Sequence, residues 1–457
     1  MTEHVTVREQ DLLDEVRQWL SENWTKEIAE ELRRENVYWE TSAARKAWLG
    51  NVVEARWAVP SWPEAWHGRE LDNDQAKLIE REFARVKAPG AGQDRNNLWA
   101  NTLLARGQEA LKQQLIAPLL RSEVNMCLLY SEPGAGSDLA GIRTRADKEG
   151  DHYVVNGQKV WTSGAATADY GMLIARTNWD VPKHQGISFF FCPMKQPGIE
   201  VRPLRQITNE SHFNEVFITD AVVPAGNLLG SEGTGWQVLT MALAYERSTM
   251  GEAARGPRSG VREGKNEEPL LALAREAGRL EEPNLRQEIA QAIAYKRLNA
   301  LNTARAKAEL TQGNSSSIMS LGKLAMSRIL HEEGRIRTKI LGAGSLLEGE
   351  AHPRAEDANF LSLNAYFTSI GGGTDQIQRN ISFMSDDISI NIETPMSLRT
   401  IVERIPIGLD VYADSADPLK DTWENFVLPH VNKEDLDHYK TLWNTIVRKG
   451  PSIKPKL

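Results

Sequence analysis

Apolar positions recur at roughly helical spacing from the start of the chain. Val5, Leu12, Leu13, Val16, Trp19 and Leu20 predict an amphipathic helix over residues 5–22. The pattern stays mostly helical to about residue 122, apart from a Pro/Trp-rich break at Val59-Pro60-Ser61-Trp62-Pro63. Between about 123 and 235 the period changes. Tyr153-Val154-Val155, Ile187-Ser188-Phe189-Phe190-Phe191 and Glu215-Val216-Phe217-Ile218 are short and rich in β-branched or aromatic residues, with Gly, Pro, Asn and Asp around them. Such runs suit strands, so a central β domain is expected here. From about 236 to 382 helical spacing returns, in Leu270–Ala277, Leu285–Leu310 and Ile318–Leu346.

Two segments break this last helical region. Gly251–Pro269 is rich in Gly, Arg, Lys and Glu and reads as a solvated loop or a mobile insertion. Gln312–Ser317 reads as a second loop, with a Ser placed to cap the next helix. Beyond residue 384, Ser385–Thr394 is strand-like or irregular, Asp410–Pro418 is turn-rich, and Trp423–Val447 offers further helix. A surface extension or subunit contact is the expectation for this tail, with a lid or partner-docking element as the alternative.

The chain has 457 residues, enough for two or three domains with cores of their own. Hydrophobic residues make up 41% and charged residues 25%, the balance of a soluble globular protein. The net charge of −8 argues against a nucleic-acid backbone or an anionic membrane as the main partner. No run is long enough to span a membrane, and the N-terminus has neither a secretory core nor an Arg/Ser-rich transit pattern. Cys127 and Cys192 alone make no disulfide framework and no metal-site spacing, so a cytoplasmic location is expected and no metal.

Candidate chemistry lies in two neighbouring segments. Ser131-Glu132-Pro133-Gly134-Ala135-Gly136-Ser137-Asp138 is followed by Asn156-Gly157-Gln158-Lys159-Val160-Trp161-Thr162-Ser163-Gly164. Glycines let the backbone approach a ligand, Ser131, Ser137, Thr162 and Ser163 supply hydroxyls, and Trp161 supplies a flat apolar face. The combination suits a large, planar, phosphate-bearing cofactor. It is no G-x-G-x-x-G turn opening a βαβ unit, so a Rossmann site is disfavoured. Read alone, the glycine-rich stretch is only a turn, and Trp161 only core packing.

Together with Gly372-Gly373-Thr374-Asp375-Gln376-Ile377-Gln378-Arg379-Asn380, these segments resemble, in order, signatures of the acyl-CoA dehydrogenase family. The likeness covers most of the chain up to that last block. It implies an α+β fold: an N-terminal helical domain (1–122), a central β-barrel-like domain (123–235) and a C-terminal four-helix bundle (236–383), followed here by an atypical extension (384–457). It also implies FAD as cofactor, an acyl-CoA as substrate, an electron-transfer flavoprotein as electron acceptor, and a homodimer or homotetramer. The implied reaction removes an α-proton to a carboxylate base and a β-hydride to flavin N5, with hydrogen bonds to the thioester carbonyl acidifying the α-carbon.

Many family members carry the base just before the Gly-Thr of the last block, where this chain has Gly372. A subset places it in a Glu-Arg pair on the helix after the β domain, where this chain has Glu246-Arg247. The resemblance therefore points to Glu246 as base and to Arg247, Ser137 and Gly373 on the substrate side; blind, the pair is a solvated helix face. For FAD it implies Leu129, Tyr130, Ser131, Gly136, Ser137, Trp161, Thr162 and Ser163, then Thr374 and Gln376. It further implies Leu341 and Gly342 in a segment reaching a neighbouring subunit's FAD, where Lys339 stands in place of the usual Gln. A family Arg that reaches the neighbour's pyrophosphate has no clear match, and Gly251–Pro269 lies near its place. Two alternatives stay open: a non-catalytic partner subunit of a mixed assembly, and a flavin oxidase or monooxygenase on the same fold.

Overall fold

The computed structural model describes residues 7–34, 41–253, 268–311, 318–349 and 351–384. The chain opens with seven helices: α1 (Val7–Asn23), α2 (Lys26–Arg34), α3 (Ala43–Glu54), α4 (Asn73–Val86), α5 (Gln93–Asn96), α6 (Leu98–Arg106) and α7 (Glu109–Leu120). Eight strands follow: β1 (Met126–Leu129), β2 (Arg145–Glu149), β3 (His152–Ser163), β4 (Tyr170–Arg176), β5 (Ile187–Pro193), β6 (Ile199–Leu204), β7 (Phe213–Pro224) and β8 (Leu228–Leu229). Helices then resume with α8 (Gly235–Ala253), α9 (Pro269–Glu276), α10 (Pro283–Thr311), α11 (Ile318–Leu341), α12 (Pro353–Ile370) and α13 (Asp375–Met384). This is the expected α+β order. The helix read over Ile318–Leu346 stops earlier, at Leu341, and tightens into a 3₁₀ turn over Gly342–Leu346. The Gln312–Ser317 loop, the centre of the Gly251–Pro269 segment and the tail beyond Met384 lie outside the described residues.

Two compact units emerge, Met1–Arg286 with Leu330–Thr374, and Gln287–Ile329 with Asp375–Leu457. In the first, the N-terminal helices close around a tryptophan cluster. Trp48 sits 4.6 Å from Trp24 and 5.6 Å from Trp19, and Trp19 lies 6.4 Å from Trp57. The indole N–H groups of Trp24 and Trp48 donate to the carbonyls of Val86 and Pro89, whereas the buried Trp57 Nε1 finds no hydrogen-bond partner among the described residues. The Pro/Trp break is a buried turn. Its Pro60 carbonyl accepts from the N–H groups of Arg69 and Leu71, and the Arg69 guanidinium lies 3.4 Å over the Trp57 ring. Asp72 and Gln75 form a reciprocal capping box that starts α4.

The strands form one sheet in the order β6-β7-β3-β2-β4-β5-β8, with β1 added parallel to β4. β5 is buried on both faces, which accounts for its nearly continuous apolar run, and its one hydroxyl, Ser188, is hydrogen-bonded to Thr177 and Gly233. Phe189 and Phe191 join the helical core, while Phe190 and Cys192 join a second core on the other side. Cys127 and Cys192 are buried free thiols, and burial pushes the Cys192 thiol up to about 12. Among the described residues no helix is long and apolar enough to cross a membrane.

Candidate active site

The two motif segments meet, and buried charge joins them. The Val160 N–H donates to the Ser131 carbonyl (2.9 Å). One residue earlier on β3, Lys159 Nζ donates to the Tyr130 carbonyl (3.1 Å) and to Glu132 Oε1 (2.9 Å). Lys159 is fully buried and Glu132 is 9% exposed. Glu132 also accepts from the backbone N–H groups of Arg143 (2.6 Å) and Thr144 (2.9 Å), which closes the glycine-rich loop on itself. From β4, buried Arg176 donates to the carbonyls of Ala140 (2.7 Å), Ile142 (3.2 Å) and Lys183 (3.2 Å). Lys183 in turn binds both carboxylate oxygens of Asp138, at 2.7 and 2.8 Å.

The electrostatics follow from this packing. Burial pushes the Lys159 ammonium down to about 8, against the pull of Glu132. Burial alone would raise the Glu132 carboxyl, but the Lys159 charge and the hydrogen bonds from Thr144, Arg143 and Lys159 outweigh it and hold the group below the usual carboxylate range.

Beyond Lys159 the β3/β7 register slips, and the resulting bulge carries Trp161. Trp161 has φ = 62°, rare for a bulky residue, and its ring is 59% exposed. The ring stands edge-on to Phe213 (5.9 Å), and Phe213 meets Phe367 on α12 (5.6 Å). Ser163 is exposed beside it. Thr162 points the other way: its side chain is buried, and its Oγ1 has no hydrogen-bond partner among the described residues. Leu129 and Tyr130 are also buried, so only their backbone is placed to serve a ligand. On the loop, Ser131 is half-buried, Gly136 and Ser137 are exposed, and a side chain built on Gly134 or Gly136 would meet nothing within 4 Å.

The remaining predicted residues sit on the helices. Gly235 starts α8 in close contact with β5, where even a methyl group would strike the Ile187 carbonyl (2.7 Å) and the Ser188 backbone (2.5 Å). Its neighbour Gly233 donates its N–H to Ser188 Oγ (3.0 Å). These contacts anchor the helix that carries Glu246 and Arg247, whose side chains lie outside the described residues. Leu341 ends α11, and Arg279 secures that end by donating to the carbonyls of Lys339 and Ile340. Lys339 and Gly342 are exposed. After α12, Gly372 and Gly373 both take positive φ, 67° and 88°, ahead of half-buried Thr374. In the second unit, Asp375 opens α13 and is held by Lys323 Nζ (2.9 Å) and Ser327 Oγ (2.8 Å); Gln376 next to it is exposed.

An open aromatic face, exposed hydroxyls and a glycine ledge free of side chains fit a planar cofactor with a phosphate arm. The charged residues that hold this ledge, Glu132, Lys159 and Arg176, were not foreseen from the sequence. Their signal was present in the strand pattern, since a Lys within an otherwise strand-like run is buried only when paired.

Helices, a single eight-stranded sheet and returning helices, with such a ledge on the sheet, define an acyl-CoA dehydrogenase-like fold. The acyl-CoA dehydrogenase N-terminal domain matches residues 6–123, and the acyl-CoA dehydrogenase middle domain matches residues 127–221. Acyl-CoA dehydrogenase IpdE1 of Mycolicibacterium smegmatis is 33% identical over 389 residues, 81% of this chain and 95% of that protein. Among solved structures, the Tcur3481-Tcur3483 steroid ACAD is 24% identical with a TM-score of 0.59, over 87% of this chain and 100% of that one. The ChsE4-ChsE5 complex from Mycobacterium tuberculosis is 25% identical with a TM-score of 0.56, again over 87% and 100%. The chain belongs to the acyl-CoA dehydrogenase family, whose members are FAD-dependent oxidoreductases acting on acyl-CoA thioesters.

Proposed function

We propose that this protein carries out α,β-dehydrogenation of an acyl-CoA, with Glu246 as the α-proton base. The observation that carries the reading is the clamped ledge: Trp161 and Ser163 stand exposed on a strained bulge beside the open Gly134–Gly136 loop, and Ser131 is tied to the same bulge through Val160. FAD, when bound, supplies the acceptor for the β-hydride. Trp161 would pack against its ring system, and Ser131 and Ser163 would offer it hydroxyl donors, with backbone help from Leu129, Tyr130 and Thr162. Gly136 and Ser137 leave room for the phosphates and for the CoA arm. Thr374 and Gln376 serve the other end of the cofactor, and Leu341 and Gly342 serve a neighbouring subunit's. Arg247 orients the thioester, Glu246 takes the α-proton, and Gly373 lies against the acyl group.

Gly371, Gly372 and Gly373 put no side chains beyond α12, and Tyr366 and Ile370 stand exposed on its last turn, 60% and 64%. A run without side chains beside exposed apolar residues favours a bulky or branched acyl group. Electrons pass to an electron-transfer flavoprotein, and shared cofactor contacts make the protein a dimer or tetramer. Anaerobic titration with a panel of acyl-CoAs, following flavin absorbance, tests the reading. Bleaching by bulky acyl-CoAs supports it, and a preference for short straight chains removes the bulky-substrate assignment.

One observation favours a second reading, a partner subunit in a mixed assembly. The usual base position is Gly372, in a backbone conformation that disfavours any side chain, and the similar ChsE4-ChsE5 structure is a complex of two chains. Purified protein that binds FAD, is not reduced by any acyl-CoA alone, and gains activity on adding a second chain would select this reading. Oxygen consumption without an added acceptor would select an oxidase instead.

A further inference from the structure

We infer that Lys159 is a positioning residue for the flavin site: its buried ammonium, paired with Glu132, locks the Tyr130–Glu132 segment to the bulge that presents Trp161 and Ser163. The inference rests on the reading of that ledge as the FAD site.

Three observations carry it. First, Lys159 makes both of its contacts to the loop segment, one to the Tyr130 carbonyl and one to Glu132, so a single side chain spans the two motifs. Second, the backbone beside it repeats the link through Val160 N–H and the Ser131 carbonyl, which sets the loop and strand at one fixed spacing. Third, Trp161 holds a left-handed backbone two residues further on. Such a conformation persists only where its surroundings over-determine it. On one side of Trp161 the buried Asn214 amide donates to the Thr162 carbonyl (2.9 Å), and on the other the Val160 link and the buried pair hold the strand to the loop. A buried ion pair is a poor source of net stability compared with apolar packing, and its best-attested use is to fix one arrangement among several. Arg176 adds to this by holding the far side of the same loop through its carbonyls, while Lys159 makes the direct ion pair with Glu132.

The ammonium acts through geometry, since fully buried Lys159 has no surface to offer a ligand. Ser131 and Trp161 make the cofactor contacts, and Lys159 decides where they stand. Loss of Lys159 therefore alters how the flavin is held as well as how much is held.

The test compares wild type with Lys159→Met, which keeps the stem and removes the charge, and with Lys159→Gln, which keeps a donor on a shorter stem and serves if the Met variant does not fold. Phe83→Leu, in the N-terminal helical core, is the control for general destabilisation. Each apoprotein is titrated with FAD, and the potential of the bound flavin is measured. Expected is at least a tenfold weaker FAD dissociation constant for Lys159→Met and a smaller loss for Lys159→Gln. The bound flavin's potential should shift by about 30 mV, the equivalent of a tenfold difference in affinity between its oxidised and reduced forms. Unchanged affinity and potential in both Lys159 variants would overturn the inference, as would equal shifts in Phe83→Leu. If wild-type apoprotein takes up no FAD, the flavin reading of the ledge itself fails, and the inference falls with it.

Discussion

The ledge on the sheet and the turn after α12 are built by opposite means. On the ledge, exposed groups are fixed from behind by buried charge: Glu132, Lys159 and Arg176 all lie below the surface that Trp161 and Ser163 present. At the turn, shape comes from removing side chains, with Gly371, Gly372 and Gly373 in a row and two of them at positive φ. A cofactor that stays bound calls for a rigid, pre-set surface. A site for a variable acyl group calls for space. Under the proposed function, the contrast teaches that a site can be preorganised where it holds its cofactor and kept bare of side chains where it meets the acyl group.

The sharpest way to break this comparison is to remove the proposed base, Glu246, since the turn itself offers only Gly372. Glu246→Gln should lower turnover by about 10²- to 10⁴-fold, the usual worth of a positioned general base, while FAD content stays normal. Stopped-flow reduction of the flavin reads this directly, and near wild-type rates would dismiss Glu246. Next comes the clamp. Glu132→Ala leaves Lys159 buried without its partner and should cost roughly 3–5 kcal/mol in denaturant unfolding. The pH sense is also fixed. Because the Glu132 carboxyl is held below its ordinary range, its contribution is complete above the unfolded carboxylate value and fades as pH falls through the lower folded value. Wild type should therefore lose stability on the acid side more steeply than Glu132→Ala.

Smaller effects test the open side. Gly372→Glu puts a carboxylate at the family's other base position but in a left-handed backbone, at about 1–2 kcal/mol of strain. In a Glu246→Gln background it should not restore turnover, and recovered activity would show that the turn relaxes. The smallest stability change is expected for Trp161→Gly. Glycine accepts φ = 62° without strain, so thermal stability should hold or rise by up to about 1 kcal/mol while FAD affinity falls. A clear loss of stability would mean that the exposed ring serves packing against Phe213 more than ligand binding.

Much of this was legible beforehand. Helix and strand periods gave the order of α and β regions, and the aromatic-rich run Ile187–Phe191 became a strand buried on both faces. The motif order gave the family. Short strands such as β2 and β6 carried too many charges to be read, because one face of each is exposed and the pairing partner sets their conformation. At the site, the sequence marked Trp161 and Ser163 but not which side each neighbour faces. A one-residue slip at the bulge turns Thr162 inward, and no local pattern announces a slip. The Glu132–Lys159 pair joins residues 27 apart in the chain, a contact that periodicity cannot encode.

The tryptophan cluster has an optical consequence. Of the 13 indoles in the chain, Trp19, Trp24, Trp48 and Trp57 lie within 4.6–6.4 Å of a neighbouring indole in the cluster. Rings so close couple their transitions and share excitation, so near-ultraviolet circular dichroism should carry a strong signal from the N-terminal helices alone. Trp161, exposed and outside that group, is free to report on whatever settles against it. The cluster thus reads the integrity of the helical scaffold, and Trp161 is the indole placed to respond when a ligand settles on the proposed ledge.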